Sequence, residues 1–250
     1  MSSCTRGRKI PNVSPDSTFN PAYLYQVLYD HYGPSFWWPG ETPFEVMVGA
    51  VLTQNTAWTN VEKAIINLKA AALMDVAAID NTDAPYLASL LRPSGYYNIK
   101  TSRLKNLIHM IMTSHSGNLD DLFSLELPAL RTELLGVNGI GKETADSICC
   151  YAADKCIFVV DAYTKRILMR HGIIEQHAGY EEIQSLFEAG LPRELAVYKD
   201  IHAHIVYIGK DYCKARNPRC DACPLKGQLQ DERTRFAPTS FLVEKKRRLT

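Results

Sequence analysis

Apolar residues return every three or four positions along most of this chain, and Gly, Pro, Asn and Asp break the runs at short intervals. That period predicts amphipathic helices over 20–32, 43–53, 58–72, 84–91, 97–115, 126–135, 142–152, 162–171, 180–190 and 193–211. One segment, Cys156–Val160, has the unbroken apolar character of a strand, but it is too short and too isolated to make a sheet. The predicted fold class is therefore all-α. The sequence has no internal repeat and no low-complexity tract beyond its polar ends.

Composition narrows the class without changing it. With 250 residues, 46% of them hydrophobic and 22% charged, the chain can bury a large core and has the balance of an ordinary soluble protein. No run approaches the roughly 20 apolar residues of a spanning helix, and the N-terminus MSSCTRGRKIP lacks the apolar segment of a secretory signal. The cytoplasm is the default compartment, the nucleoid if the cell is prokaryotic, and neither a membrane nor a second subunit is called for. A net charge of +1 excludes a uniformly basic coat for nucleic acid. Basic residues are instead local: Arg6, Arg8 and Lys9 at one end, Lys245 to Arg248 at the other, and Lys142, Lys165, Arg166 and Lys210 in between. The terminal runs read first as solvated tails.

Residues 135–164 carry the strongest chemical signal. Leu130, Leu134 and Leu135 end one predicted helix, Gly139 and Gly141 permit a tight turn with close backbone approach, and Thr144, Ala145 and Ile148 begin the next. Amides at that second N-terminus, with the helix dipole and Lys142, form a site for a phosphate; an ordinary helix corner with a glycine cap is the plainer alternative. The apolar run Phe158-Val159-Val160 then delivers Asp161 to the start of another helix. Taken alone, an aspartate there is usually an N-cap.

Hairpin and aspartate together resemble the helix-hairpin-helix, Gly/Pro-Asp superfamily of DNA glycosylases, typified by endonuclease III, over about Tyr23 to Cys223. The segments Phe36-Trp37-Trp38-Pro39, Val51-Leu52-Thr53-Gln54-Asn55-Thr56, Arg92-Pro93-Ser94-Gly95-Tyr96-Tyr97-Asn98 and Gly139-Ile140-Gly141-Lys142-Glu143-Thr144-Ala145-Asp146 are similar to the endonuclease III-related subgroup that includes 3-methyladenine DNA glycosylases. The resemblance implies two helical domains with a DNA-binding cleft between them. One would span 40–155, with the helix-hairpin-helix at about 128–152, and the other would join 1–39 to 156–250.

It also implies roles. A base inside a duplex is out of reach, so it must be flipped out, and Gln54 and Asn55 match the superfamily's intercalating position; ending one helix and capping the next is their other reading. Gly139, Gly141, Lys142 and Thr144 would hold the DNA backbone. Trp37, Trp38 and Trp58 are the aromatic candidates for the base pocket, Trp58 above all because it matches the position of the stacking aromatic in the alkylbase subgroup; an aromatic face attracts a cationic methylated base by roughly 0.5–2 kcal/mol. Glu143, a base-pocket candidate because the alkylbase subgroup is acidic there too, stands where strand-cleaving relatives carry a lysine nucleophile, and Lys142, one position early, is turned by about 100° on the helix. A carboxylate forms no imine, so strand cleavage at an abasic site is disfavoured and water is the expected nucleophile. Asp161 as a carboxylate would stabilise positive charge on the sugar and orient that water. Lys210 would contact DNA or the base, unless it simply faces solvent. His202 and His204 lie at i, i+2, do not share a helix face, and are assigned no chemistry. The expected activity is a monofunctional glycosylase acting on damaged, alkylated bases in double-stranded DNA. The alternatives are a bifunctional enzyme for oxidised pyrimidines and a non-catalytic DNA-binding module.

Seven cysteines, an odd number, do not form a disulfide framework. Cys213, Cys220 and Cys223 have the C-x6-C-x2-C spacing that matches the first three ligands of the superfamily's iron–sulfur loop, here 213–229. The fourth ligand position is Leu229, which offers no donor, whereas a [4Fe–4S] cluster takes four thiolates. Asp231 is a conceivable replacement, a lost site the other reading; the chemistry itself needs no cofactor.

Overall fold

A computed structural model describes residues 19–35, 37 and 40–229. Trp38, the terminal basic runs and Asp231 lie outside the described residues. The helices are α1 (Pro21–Tyr32), α2 (Pro43–Leu52), α3 (Trp58–Ala70), α4 (Val76–Asn81), α5 (Ala84–Leu91), α6 (Tyr97–His115), α7 (Leu119–Ser124), α8 (Leu127–Gly136), α9 (Lys142–Ser147), α10 (Ala162–Arg170), α11 (Tyr180–Gly190) and α12 (Leu195–Asp211). A π-helical turn, Ile148–Ala152, continues α9. No strand occurs among the described residues, and Ile157–Val160 forms a buried extended link. The protein is all-α, and no described helix is long and apolar enough to cross a membrane.

Periodicity missed α4 and α7 because six residues hold fewer than two turns. Their start signals were nonetheless present: Asp75 accepts from the Ala78 amide at 3.0 Å, and Asn118 accepts from Asp120 and Asp121. Helix α3 also stops short of the expected Ala72, which takes a left-handed φ of 55°.

The chain divides into two compact units, Trp38–Ile157 and Met1–Trp37 with Phe158–Thr250. In the first, α2 is buried at every residue from Phe44 to Leu52, all of them uncharged except Glu45, which pairs with Lys69 at 2.9 Å. It packs on α3, α6, α9 and the π-helical turn. Burial there pushes the Cys149 thiol up to about 12, so this cysteine is an inert core residue. In the second unit α12 packs against α10 and α1, and α1 against α11. Phe158 stacks on Phe187 with ring centres 4.1 Å apart, and Tyr198 meets Phe158 edge-on. At Gly209 a side chain would come within 2.1 Å of the Tyr163 ring, so α12 reaches α10 closely there only because it carries a glycine.

Candidate functional site

The hairpin between α8 and α9 is fixed from several sides. Gly139 has φ +96°, and a β-carbon there would sit 2.3 Å from Cγ of Arg103, so both backbone and neighbour exclude a side chain. Gly141 differs: its φ is −92° and a β-carbon would meet open space. Arg131 of α8 grips the fully buried Asp146 of α9 through Nε at 2.6 Å and Nη2 at 3.3 Å, closing the two helices on each other. No side chain caps the start of α9, where Lys142 and Glu143 are exposed. Thr144, expected to touch DNA, is buried instead, and its hydroxyl accepts from Gln54.

Gln54 belongs to the turn after α2, and its side chain points at the hairpin. Its Nε2 donates to the Gly139 carbonyl at 3.1 Å and to Thr144 Oγ1 at 2.9 Å, while Arg103 donates to its Oε1. Asn55 is exposed, with a left-handed φ of 54°. Beneath the turn, buried Lys100 donates to the carbonyls of Leu52 and Ser94, both at 2.7 Å, and Thr56 Oγ1 donates to the same Ser94 carbonyl. Burial, helped by the charge of Arg103, lowers the Lys100 ammonium to about 8. Nearby in sequence, Tyr96 holds φ +45° and is 70% exposed. Trp58, half-buried, lies on α2 over Gly49, where a β-carbon would press on the indole at 3.2 Å. The missing side chain at Gly49 makes the bed for that ring.

In the other unit, Asp161 caps α10 with one carboxylate oxygen and faces a histidine with the other. Its Oδ1 accepts from the Thr164 amide at 2.7 Å and from Thr164 Oγ1 at 2.8 Å, completing a capping box at the start of α10. Its Oδ2 faces Nε2 of His202 at 3.7 Å, an ion-pair distance too long for a hydrogen bond. Only 10% of the carboxyl side chain is exposed. Burial alone would push Asp161 up, but His202 and the two Thr164 bonds outweigh it and hold the carboxyl below its ordinary range. Trp37 meets the His202 ring edge-on, 5.6 Å between centres. Lys210 is exposed in the last turn of α12.

The sequence model of the HhH-GPD superfamily of base excision DNA repair proteins matches residues 48–193. The chain belongs to the HhH-GPD superfamily. Over 205 residues it is 49% identical to a putative DNA repair glycosylase, MJ1434, of Methanocaldococcus jannaschii, covering 81% of this chain and 92% of that protein. A crystal structure of the H. pylori 3-methyladenine DNA glycosylase MagIII bound to 1,N6-ethenoadenine superposes with a TM-score of 0.66 at 31% identity, covering 75% of this chain and 95% of the other. An endonuclease III–DNA complex shares the fold, with a TM-score of 0.72 at 20% identity over 85% and 95% of the two chains.

A model of the iron–sulfur binding domain of endonuclease III also matches this HhH-GPD protein, at residues 213–228, one residue short of Leu229. Cys213 is buried, and its sulfur accepts from Arg170 Nη1 at 3.3 Å; the same guanidinium donates to the carbonyls of Lys214 and Ala215. Arg166 donates to the Cys213 carbonyl at 2.8 Å. These bonds fasten the start of the loop to α10. Three thiols and a leucine do not make the four-thiolate set of a [4Fe–4S] cluster.

Four contributors to these sites escaped the sequence reading: Lys100, Arg103, Gly49 and His202. Two of them had left a signal. Lys100 shares the apolar stripe of α6 with Leu104, Leu107, Ile108 and Ile111, and His202 lies in that of α12 with Tyr198, Ile205 and Gly209. A polar residue inside a buried stripe needs a partner, and the partner is where the interest lies.

Proposed function

We propose that the protein is a monofunctional DNA N-glycosylase that releases alkylated bases, 3-methyladenine among them, from double-stranded DNA and leaves the strand intact. The observation that carries the reading is the division of labour within Asp161: one oxygen is spent on the helix cap, the other is kept ionised and uncommitted to the cap in a buried setting. A carboxylate that served as a cap alone would need neither the burial nor the imidazole.

As the N-glycosidic bond breaks, its electron pair leaves with the base, and positive charge spreads over C1′ and the ring oxygen of the sugar. Asp161 Oδ2 stabilises that charge. A water oxygen then bonds to C1′ and gives up its proton, for which the same carboxylate is the acceptor. A methylated, cationic base departs as a neutral molecule, so it needs little acid catalysis. Trp58 is the proposed stacking surface, favouring a flat cation. Glu143 replaces the amine that a lyase would use to form an imine with the sugar. Amides at the start of α9, with Lys142, bind backbone phosphate; the open space at Gly141 suits that approach. Asn55 and exposed Tyr96 are the proposed fillers of the gap left by the flipped nucleotide, and Gln54 holds its turn to the hairpin. The similarity to MagIII supports the alkylated-base assignment.

The test is incubation with methylated and with oxidised duplex DNA, scoring free base and nicked strand separately. The expected outcome is free methylated base, intact strand until alkali is added, and no borohydride-trapped adduct. A trapped adduct would overturn the monofunctional assignment, and no base release from any lesion would leave a DNA-binding module.

A further inference from the structure

Once Thr164 has taken Oδ1, the oxygen of Asp161 left for chemistry is Oδ2, and the residue facing it is His202. The two side chains are 10% and 5% exposed, so bulk water does little to support the charge. His202 is aimed by its helix: Gly209, seven positions on and on the same face, lets α12 close onto α10, while His204 turns the other way and bonds the Gly33 carbonyl at 2.8 Å between the rings of Tyr25 and Tyr32. Trp37 backs the His202 ring.

We infer that His202 is the positioning residue of the catalytic carboxylate, presenting Nε2–H to Oδ2 so that Asp161 stays anionic and its second oxygen stays aimed while the first caps α10. This rests on the proposed role of Asp161. The 3.7 Å separation closes to a hydrogen bond with a shift of under about 1 Å, within what catalytic contacts in unliganded enzymes undergo. The other titratable groups near this part of α12 are otherwise engaged. From α10, Arg166 bonds the Gly209 and Cys213 carbonyls and lies over the Tyr163 ring, and the Tyr163 phenol is pushed up by burial and by Asp161. From α1, Tyr25 donates to Asp200 of α12 itself, and the rings of Tyr29 and Tyr32 meet His204. Among the described residues, Asp161 is the carboxylate within ion-pair range of His202.

The experiment is the pH profile of single-turnover base release for the wild type, His202→Gln and His202→Leu. Gln keeps an N–H donor and Leu does not. Loss of the donor moves the acid limb of the leucine variant to higher pH by about one unit or more, a tenfold loss of rate on that limb, while the glutamine variant stays near the wild type. A structural role alone lowers the rate equally at every pH, and an unshifted acid limb in His202→Leu overturns the inference. A second measurement does not depend on how those variants fold. In imidazole-labelled wild type, NMR should find the proton of His202 on Nε2, with a hydrogen-bonded resonance that changes in Asp161→Asn, and a bare Nε2 or an unchanged resonance overturns it as well. The two readings fail separately. Base release undiminished in Asp161→Asn sinks the proposed function, whereas release that depends on Asp161 with no movement of the acid limb and no change in the Nε2 resonance sinks only the role of His202.

Discussion

Replacing Asp161 by Asn and by Ala separates its cap from its proposed catalytic role. Asparagine caps a helix about as well as aspartate, so Asp161→Asn retains an acceptor for the Thr164 amide and hydroxyl, now at 2.7 and 2.8 Å. Alanine loses both bonds and costs about 1–2 kcal/mol. For a protein of this size each kcal/mol lowers Tm by roughly 2–4 °C, so Asp161→Ala melts several degrees early while Asp161→Asn stays close to the wild type. Activity sorts differently. A carboxylate about 4 Å from the developing sugar cation is worth about 4 kcal/mol at an effective dielectric of about 20, which is roughly three powers of ten in rate. Both variants should therefore lose on the order of a thousandfold in single-turnover release of methylated base, although only one of them is destabilised. Calorimetry and a quench assay on the same preparations check both halves. An Asp161→Asn protein that releases base at the wild-type rate refutes the electrostatic argument, and one that melts with Asp161→Ala refutes the cap assignment.

Gly139→Ala forces a left-handed φ on a residue with a side chain, about 1–3 kcal/mol, and drives its β-carbon into Arg103; its Tm should fall by on the order of 5 °C, whereas Gly141→Ala should leave Tm unchanged and weaken DNA binding in a salt-titrated retention assay. The wild type purified anaerobically should hold no stoichiometric iron and sulfide, and Leu229→Cys should gain both together with a broad visible absorption; a full cluster in the wild type would show that three thiols suffice. His115, buried between Asp121 and Glu133, is lowered by burial but raised further by those two carboxylates, so its net shift is upward. A raised histidine contributes its stability below its unfolded value of about 6.5 and loses it as pH climbs through the folded one. The urea midpoint should thus fall as pH rises above about 6.5, and in His115→Gln that fall should vanish.

Helix class and the long helices were legible because a buried stripe at three- and four-residue spacing is written directly into the order of residues. Boundaries that depend on a left-handed residue, such as Ala72 after α3, were not, since nothing about alanine announces that conformation. The hairpin was legible through Gly139, whose conformation and crowding both demand glycine; the second glycine has no reason inside the protein itself. Asp161 could be placed from its apolar approach, yet the sequence left cap and catalyst as rivals. In the structure each oxygen of the carboxylate has its own partner, so capping α10 uses only one of them. His202 was set aside because its neighbour in sequence, His204, does not share its face. That argument was sound for a metal pair, and it left open what each face meets.

The same logic explains why the turn after α2 resisted a sequence reading. Gln54 and Asn55 both carry amide side chains, and nothing in their order tells which is held and which is offered. Their surroundings make the distinction: Arg103, Gly139 and Thr144 use the Gln54 amide on both sides, and the left-handed backbone at the next residue turns Asn55 outward. Lys100 then fixes the base of the turn by giving its charge to two carbonyls, Leu52 at the open end of α2 and Ser94 ahead of Tyr96. A methionine of similar length there would fill the space but leave the Leu52 carbonyl without its donor, at a cost of about 1–3 kcal/mol, while the Ser94 carbonyl keeps Thr56. Rigidity in this turn is thus set by a lysine that touches neither base nor phosphate, and a substitution at Lys100 should disturb Asn55 and Tyr96 together.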